Sequence, residues 1–283
     1  MTFREVYNEA KRRLTKAGIK SPAFDAACIF EKHSGLKRHD MPINGQKEAD
    51  FNLEDLWRDV DRRTLGEPLQ YILGEWEFMG LKFFVGPGVL VPRQDTELLC
   101  ETALNFLKNR QNPKLLELCA GSGCSAIAVA KLLNNCEAIC LELSPKAAEY
   151  LKKNIALHNV QNRVKLVMGD MLMFNANEWS DTFDAIICNP PYIPTADIGT
   201  LEREVREHEP LLALDGGPNG LLFYHAALKW LPLLKHGGMV VFEVGLGQAG
   251  DVAEILGDAL ADVFILRDLS GIERVVGGYC FND

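Results

Sequence analysis

From residue 92 onward, short apolar segments that favour strands alternate with amphipathic segments that favour helices. The predicted strands are 114–119, 137–142, 164–169, 183–188, 239–244, 263–268 and 272–279, and the predicted helices are 95–109, 124–133, 145–158, 219–235 and 248–260. Such alternation specifies a parallel sheet with helices on both faces. The last two strands, joined across Leu269-Ser270-Gly271, favour an antiparallel pair. The predicted fold class is therefore α/β, a doubly wound and mostly parallel sheet of seven strands.

Residues 1–74 have a different pattern, which predicts a small bundle of about four helices. One face of the first helix carries Phe3, Val6, Tyr7, Ala10 and Leu14. Residues 75–85 read as extended structure with Gly80 at the middle, which predicts a hairpin. We therefore expect three parts: a helical domain of residues 1–74, a hairpin linker of residues 75–91 and an α/β domain of residues 92–283.

Charge and cysteine usage exclude several function classes. The net charge of −9 disfavours a broad nucleic-acid footprint, because such a footprint needs many Lys and Arg side chains against phosphates. The first residues mix charges, and no run approaches 18 apolar residues, so we expect a cytoplasmic protein with no membrane contact. The eight cysteines form no CxxC pair and predict free thiols and no metal. Of the histidines, His158, His208, His225 and His236 are expected at the surface, without a catalytic role.

Three successive strand ends carry glycine or acid. The first turn reads Glu117-Leu118-Cys119-Ala120-Gly121-Ser122-Gly123 and opens a helix, where glycine lets a backbone approach a ligand closely. Glu142, at the next strand end, is placed to accept ribose hydroxyls, and Asp170, followed by Met171, is placed to accept an adenine amino group. The pattern predicts a cofactor that carries adenosine. Because the turn also satisfies G-x-G-x-x-[GA], a nicotinamide oxidoreductase stays open on this loop alone.

The fourth strand end reads Asn189-Pro190-Pro191-Tyr192. Neither proline donates an N–H and each fixes φ, so the strand cannot continue and its carbonyls face outward. The Asn189 side-chain oxygen and the Pro190 carbonyl could accept both hydrogens of an NH2 group, and Tyr192 offers a flat ring to a planar substrate. Methyl transfer to nitrogen needs such a double acceptor, whereas hydride transfer does not.

With these motifs the chain resembles the class I S-adenosylmethionine-dependent methyltransferases, which have a Rossmann-like fold, and within them the PrmC/HemK family. That family methylates the glutamine of peptide chain release factors. The matching segments, which fall within residues 66–279, are Gly66-Glu67-Pro68-Leu69-Gln70-Tyr71-Ile72 with Gly74, Glu77-Phe78, Gly80-Leu81, Val91-Pro92-Arg93-Gln94-Asp95-Thr96-Glu97-Leu98, Gly121-Ser122-Gly123-Cys124, Asn189-Pro190-Pro191-Tyr192, Glu209-Pro210, Ser270-Gly271 and Glu273-Arg274.

The resemblance implies roles for named residues. Catalysis would rest on Asn189, Pro190 and Tyr192, and substrate binding on these with Pro191 and Arg93. S-adenosylmethionine would be held by Glu117, Cys119, Ala120, Gly121, Ser122, Gly123, Glu142, Asp170, Met171 and Asn189. Release factors would be the protein substrate, with the helical domain helping to recognise them. Segment 92–97 would border the mouth of the active site, and residues 193–216 form a long loop, either a lid or a plain solvent-facing loop.

The chain departs from the family pattern at three places. Cys119 stands where the family has Gly, Glu142 replaces an Asp, and Met171 occupies a position often taken by Trp. We expect these changes to affect cofactor affinity more than chemistry. Two further alternatives stay open: an adenine amino-methyltransferase acting on DNA or RNA, because an exocyclic amine also brings two donors, and a cofactor-binding adaptor without catalysis.

Overall fold

The computed structural model describes residues 1–173, 175, 179, 180 and 182–281. In chain order its helices are α1 (Phe3–Lys16), α2 (Pro22–Ser34), α3 (Met41–Asn44), α4 (Leu53–Thr64), α5 (Leu69–Leu73), α6 (Thr96–Leu107), α7 (Cys124–Leu132), α8 (Pro145–Leu157), α9 (Arg203–His208), α10 (Leu222–Ala227) and α11 (Ala249–Gly257). Its strands are β1 (Glu75–Phe78), β2 (Leu81–Phe84), β3 (Lys114–Leu118), β4 (Glu137–Glu142), β5 (Val164–Met168), β6 (Phe183–Cys188), β7 (Leu234–Glu243), β8 (Ala261–Arg267) and β9 (Glu273–Tyr279).

The chain divides into two compact units. The first contains Met1–Glu75 together with Glu202–His208, and the second contains Trp76–Leu201 together with Glu209–Asp283. The helical unit is therefore completed by a segment that is distant from it in sequence. Helix α9 lies in that segment. It begins at Arg203, and the preceding sheet strand, β6, ends at Cys188.

The helical unit is held by a capped helix, an apolar face and a buried charge cluster. Helix α1 begins with a capping box, in which the Thr2 hydroxyl accepts the Glu5 amide at 3.3 Å and the Glu5 carboxylate accepts the Thr2 amide at 2.8 Å. The apolar face predicted for α1 is buried. Arg63 of α4 lies 2.7 Å from both Asp25 of α2 and Glu204 of α9. These two ion pairs explain why the remote helix belongs to this unit.

The second unit contains a seven-stranded sheet in the order β5-β4-β3-β6-β7-β9-β8. The pairs that join β5, β4, β3, β6 and β7 are parallel, and β9 runs antiparallel to both β7 and β8. The chain moves from β3 outward to β5 and then returns to the other side of β3 with β6. This reversal opens a crevice at the carboxyl ends of β3 and β6, which is where open α/β sheets bind ligands. The predicted fold class is confirmed.

One predicted helix is largely wrong. Residues 219–235 contain the short helix α10, and a 3-10 helix at Leu228–Leu233 follows it. Pro232 lies inside that 3-10 segment, and a proline cannot continue an α-helix because it lacks the N–H and its ring clashes with the preceding turn. Strand β7 starts at Leu234 and runs through Gly237 and Gly238.

Apolar layers lie on both faces of the sheet. Along β3, Leu115 packs into one buried cluster, while Leu116 and Leu118 pack into another. The β1–β2 hairpin contributes Phe78 and Phe83 to the first cluster. Asn154 of α8 joins the hairpin to the glycine turn, because its side chain bonds to the Phe84 amide and carbonyl and to the Ser122 carbonyl at 2.7, 3.1 and 3.0 Å.

His158 was expected at the surface and is buried instead. Its ring lies 4.8 Å from the Phe83 ring centroid, and its Nε2 lies 2.7 Å from the Lys82 carbonyl. The hairpin covers this histidine because β2 packs on α8, a contact that no local pattern encodes. All eight cysteines have free thiols. Within the described ranges, no helix is long and apolar enough to cross a membrane.

Candidate active site

The loops that follow β3, β4, β5 and β6 surround a cavity in the second unit. Its volume is about 230 Å³, against the roughly 10–15 Å³ that a single water requires, so it has room for an organic ligand. The predicted site residues that line it are Arg93, Glu117, Cys119, Ala120, Gly121, Ser122, Glu142, Asp170, Met171, Asn189 and Pro191. Gly123, Pro190 and Tyr192 belong to the same loops but stand outside this lining. The strand-end rule therefore brings most of the predicted residues together.

The turn after β3 adopts left-handed backbone at three positions. Cys119, Gly121 and Gly123 have φ of 55°, 56° and 75°. Gly123 is required for packing, because a Cβ there would lie 2.9 Å from Leu151 Cγ of α8. Cys119 takes this conformation in spite of its side chain, and its Sγ lies 3.2 Å from the Met171 Sδ. Two of the three departures from the family pattern, Cys119 and Met171, thus contact each other in the wall of the cavity.

Glu117 lies next to the last residue of β3 and contacts the first turn of α7. Its carboxylate accepts the Ala126 amide at 3.0 Å and lies 3.8 Å from the Cys140 thiol. Burial raises the pKa of Glu117 to about 7, and hydrogen bonds from Ala126, Ser125 and Cys140 oppose this shift. The residue therefore anchors the helix that the glycine turn opens, in addition to lining the cavity.

Glu142 ends β4 and closes the glycine turn from the other side. One carboxylate oxygen accepts the Gly121 amide and the other accepts the Ser144 amide, both at 2.7 Å. Burial raises the pKa of Glu142, while the backbone amides of Ser144, Gly121 and Leu143 oppose the rise. A carboxylate has about four acceptor positions, so these bonds leave capacity for a ligand hydroxyl.

Asp170 and Met171 follow β5 and form the next part of the wall. The Asp170 carboxylate accepts the Leu172 amide at 2.9 Å, which bends the chain into a 3-10 turn. The Met171 carbonyl accepts the indole N–H of Trp230 at 2.9 Å. Trp230 is buried in the apolar cluster on one face of the sheet. Packing in the core therefore fixes the position of the Met171 backbone.

Asn189 ends β6 with its amide oriented by a neighbour. Its Nδ2 donates to the Thr96 hydroxyl at 3.1 Å, which leaves Oδ1 available. Among the residues that the structure describes, nothing donates to Asn189 Oδ1 or to the Pro190 carbonyl. Pro190 and Pro191 are buried. This turn therefore holds two acceptors without protein donors, and of the two residues Asn189 lines the cavity.

Tyr192 is held by residues that sequence reasoning did not assign to the site. Gln248 Nε2 donates to the Tyr192 carbonyl at 2.9 Å. A Cβ on Gly216 would lie 2.7 Å from the Tyr192 Cα, and a Cβ on Gly220 would lie 2.3 Å from its carbonyl oxygen. Only glycine fits this close approach of two backbones. The end of the long loop thus packs directly on the Asn189-Pro190-Pro191-Tyr192 turn.

Arg93 also has a partner in the long loop, Glu209. Its guanidinium bonds to the Glu209 carboxylate, which is buried and also accepts the Val91 amide at 3.4 Å. Arg93 itself is 39% exposed and lines the cavity. Pro210, Leu212 and Ala213, which follow Glu209, line the cavity as well. Segment 92–97 and the last part of loop 193–216 therefore border the same opening.

Glu243 was also missed, although it ends β7 at the same edge of the sheet. It is 3% exposed, its Oε1 lies 3.5 Å from the Tyr192 hydroxyl, and its Oε2 has no hydrogen-bond partner among the described residues. Burial raises the pKa of Glu243 to about 7, and the charge of Asp95 adds to the rise, while Thr96, Arg274 and Tyr192 oppose it. The sequence offers one sign of its role, which is its position at the end of a predicted strand. Glu117, Glu142 and Asn189 lie at or just after the ends of neighbouring strands in the same way.

Comparisons with known proteins agree with this geometry. The PrmC N-terminal domain family matches residues 5–74, and the TRM5/TYW2 methyltransferase domain family matches residues 101–209. The chain is 39% identical to the release factor glutamine methyltransferase of Geobacter sulfurreducens, over 98% of this chain and 96% of that protein. It is 37% identical to the release factor glutamine methyltransferase of Clostridium botulinum, over 98% of both.

A solved structure shows a similar fold. The hMettl16 catalytic domain, determined in complex with MAT2A 3'UTR hairpin 6, has a TM-score of 0.56 and 17% sequence identity, over 85% of this chain and 86% of that one. At this identity the likeness concerns the fold alone.

Proposed function

Because the chain belongs to the family of release factor glutamine methyltransferases, we propose that it transfers a methyl group from S-adenosylmethionine to a glutamine of peptide chain release factors. The acceptor is the side-chain amide nitrogen of the glutamine in their Gly-Gly-Gln motif. The observation that carries the proposal is the pair of acceptors without protein donors, Asn189 Oδ1 and the Pro190 carbonyl, beside a cavity that has room for a cofactor.

The residues around the cavity fit S-adenosylmethionine. Glu142 would accept ribose hydroxyls and Asp170 the adenine amino group, while Leu141, Met171 and Leu172 give the apolar contact that a flat base requires. The backbone of the glycine turn would allow close approach of the rest of the cofactor, and Glu117 anchors this turn. The turn consists of Cys119, Ala120, Gly121, Ser122 and Gly123. When bound, the cofactor supplies an electrophilic methyl group on a sulfonium sulfur.

The two acceptors address the weakness of the nucleophile. An amide nitrogen reacts poorly because its lone pair is delocalised into the carbonyl. Asn189 Oδ1 and the Pro190 carbonyl would each accept one N–H of the substrate amide and so aim the nitrogen at the methyl group. Positioning and electrostatics then supply the rate. Once methylated, the nitrogen is strongly acidic and releases one proton to solvent, so no histidine base is needed.

Three further residues would contact or orient the protein substrate. Tyr192 would offer its ring, and Pro191 would form part of the floor of the site. Arg93 keeps unused N–H donors beside its bond to Glu209, because a guanidinium has five in total. These donors would bind carbonyl oxygens of the glutamine-bearing loop.

The organisation of the whole chain follows from the same function. Residues 1–74 would recognise the release factor, residues 75–91 would act as a hairpin linker, and residues 92–283 would carry out methyl transfer. Release factors are cytoplasmic substrates, which fits a chain with a net charge of −9 and no spanning helix among the described residues. We expect no membrane partner and no direct binding of nucleic acid.

A transfer assay tests the proposal. The purified protein is incubated with S-adenosylmethionine that carries a labelled methyl group and, in separate reactions, with a release factor, the same factor with its Gly-Gly-Gln glutamine replaced by alanine, and duplex DNA or RNA. Label in the intact factor alone supports glutamine methylation. Label in nucleic acid would indicate an amino-methyltransferase, and cofactor binding without any transfer would indicate an adaptor.

A further inference from the structure

We propose that Gln248 is a positioning residue, which fixes the end of the turn of residues 189–192 and thereby the direction of the Pro190 carbonyl. The inference rests on the proposed function, because that carbonyl is one of the two acceptors assigned to the substrate amide. Gln248 stands outside the lining of the cavity, so it would act through the turn and not by touching cofactor or substrate.

The two prolines of this turn leave their carbonyls free to rotate. Pro190 and Pro191 have no N–H, so neither can donate a hydrogen bond that would hold the turn in place. The ring fixes φ, but rotation about ψ remains and changes the direction of the carbonyl. The direction of the Pro190 carbonyl therefore depends on how the chain is held on each side of the two prolines.

Both sides are held, by different means. Before the prolines, strand β6 pairs with β3 on one side and with β7 on the other. After them, the peptide group between Tyr192 and Ile193 is bonded at both ends. Its carbonyl accepts from Gln248 Nε2 at 2.9 Å, and its N–H donates to the Leu214 carbonyl at 3.0 Å. Without Gln248 this peptide group would be held at one end only and could tilt.

The Gln248 amide can make its bonds in one direction only. Its Oε1 accepts the Gly245 amide at 3.0 Å, while its Nε2 donates to the Tyr192 carbonyl. A backbone N–H can only donate and a backbone carbonyl can only accept, so a reversed side-chain amide would lose both bonds. Gln248 therefore connects the turn that follows β7 to the turn that follows β6 with a defined orientation.

Two glycines from different loops leave the space that this amide fills. A Cβ on Gly220 would lie 2.5 Å from Gln248 Nε2 and 2.3 Å from the Tyr192 carbonyl oxygen. A Cβ on Gly245 would lie 2.6 Å from Gln248 Oε1 and 3.0 Å from Tyr192 Cδ2. Any larger residue at either position would displace the amide or the turn, so the close fit restricts both.

A purely structural role for Gln248 leads to a different expectation. Gln248 immediately precedes α11, and a negative charge at the start of a helix is favourable. A glutamate there would also keep an acceptor for the Gly245 amide. It would have no donor for the Tyr192 carbonyl, because an ionised carboxylate only accepts. Gln248→Glu therefore retains what stability requires and removes what positioning requires.

The experiment measures kcat and KM for the release factor, the Kd and stoichiometry of S-adenosylmethionine by calorimetry, and the unfolding midpoint in urea. In Gln248→Glu, kcat should fall about 30-fold, because a small displacement of an acceptor is costly to the reaction. KM should change less than about 3-fold, and the Kd, the one-to-one stoichiometry and the urea midpoint should be retained. Gln248→Met, which lacks the donor but adds no charge, should lose about 10-fold in kcat.

A second pair of variants tests the same contact without changing Gln248. Gly220 and Gly247 both have left-handed backbone, with φ of 75° and 81°, so an added Cβ strains both in a similar way. A Cβ on Gly247 would meet nothing within 4 Å, whereas one on Gly220 would meet both partners of the bond. Gly220→Ala should therefore lower kcat about 10-fold, and Gly247→Ala, the matched control, should stay within about 2-fold of the wild-type protein.

The two proposals fail separately. If the wild-type protein binds cofactor but does not label the release factor, the proposed function fails. If the wild-type protein labels the factor and Gln248→Glu keeps its kcat, the positioning role is overturned. Should Gln248→Glu lose kcat together with its cofactor stoichiometry or its urea midpoint, the glycine pair decides, and equal kcat in Gly220→Ala and Gly247→Ala would overturn the role.

Discussion

Buried carboxyl groups occur in both units, but their partners differ. In the helical unit Asp59 contacts three basic side chains, with Lys32, His33 and Arg62 at 2.8, 2.9 and 3.0 Å. Burial raises the pKa of Asp59, but the bonds from Lys32 and His33 outweigh it and the net pKa is lowered. At the cavity of the second unit, Glu117, Glu142 and Glu243 have no ion-pair partner among the described residues, and their pKa values are raised.

The difference separates two uses of the same chemical group. A buried acid that is paired with cations is already satisfied, and removing it is destabilising because the cations lose their counter-charge. A buried acid that depends on backbone amides and hydroxyl groups stays costly to ionise and retains the capacity to bond a ligand. Such unpaired acids cluster at functional sites more often than elsewhere. The contrast therefore predicts that variants in the two places change different observables.

The largest effect is expected at Asn189, which lines the cavity of the second unit. Asn189→Ala removes one of the two proposed acceptors for the substrate amide, so methyl transfer to the release factor should fall by about 100-fold or more. The Kd for S-adenosylmethionine, measured by calorimetry, should change little because the cofactor has many other contacts. A parallel loss of cofactor binding would instead show that the turn is structural.

The next effect tests the helical region. Asp59→Asn removes a carboxylate partner from Lys32 and from Arg62, which keeps its pair with Glu67. Because both cations are about one-third exposed, water compensates part of the loss. The free energy of unfolding, measured in urea, should fall by about 2 kcal/mol, with the cofactor Kd unchanged. Asp61→Asn on the same helix is the control, since that side chain is 65% exposed. Equal losses in the two variants would contradict the pairing argument.

A third variant tests whether an unpaired acid contributes to binding. Glu142→Ala removes the acceptor for the Gly121 and Ser144 amides as well as the proposed ribose contact. The Kd for S-adenosylmethionine should rise by about 10- to 100-fold, as for the loss of a charged hydrogen bond. Glu149→Ala on α8 is an exposed control and should bind normally. An unchanged Kd in Glu142→Ala would move the ribose site elsewhere.

The last prediction concerns the pH dependence of stability. Because the folded-state pKa of Glu117 is raised from 4.5 to about 7, folding is favoured while this group is protonated. Its contribution is lost as pH rises from the unfolded to the folded pKa, by on the order of 1–3 kcal/mol. Glu117→Gln should therefore flatten the decline in unfolding free energy between about pH 4.5 and 7. Asp59, with a lowered pKa, acts oppositely at lower pH. A decline as steep as that of the wild-type protein would contradict the raised pKa.

Much of the fold was predictable because the sheet is buried on both faces. Strands β3, β4 and β6 read as short apolar runs that end at glycine, acid or proline, so their positions follow from local pattern. The helix predicted at 219–235 was wrong: the apolar spacing there is typical of a helix, but Pro232 cannot continue one. His158 was wrong because its burial depends on the hairpin that packs over α8.

The candidate site divides in the same way. Glu142, Asp170 and Asn189 could be found because the carboxyl ends of parallel strands meet at one edge. Thr96 and Glu243 could not, because they come from α6 and β7 and reach Asn189 and Tyr192, respectively, only after the sheet is assembled. Gly216 and Gly220 look like ordinary loop glycines until the backbone of Tyr192 approaches them.

The sequence by itself determined the sheet, its strand ends and the turn at Asn189-Pro190-Pro191-Tyr192, because these depend on local spacing and on fixed backbone properties. Tertiary structure decided which acids are paired and which are not, how the Asn189 amide is oriented, and that residues 202–208 join the helical unit. Those features depend on burial and on hydrogen bonds between distant segments. Both arise only when the chain has removed these groups from water.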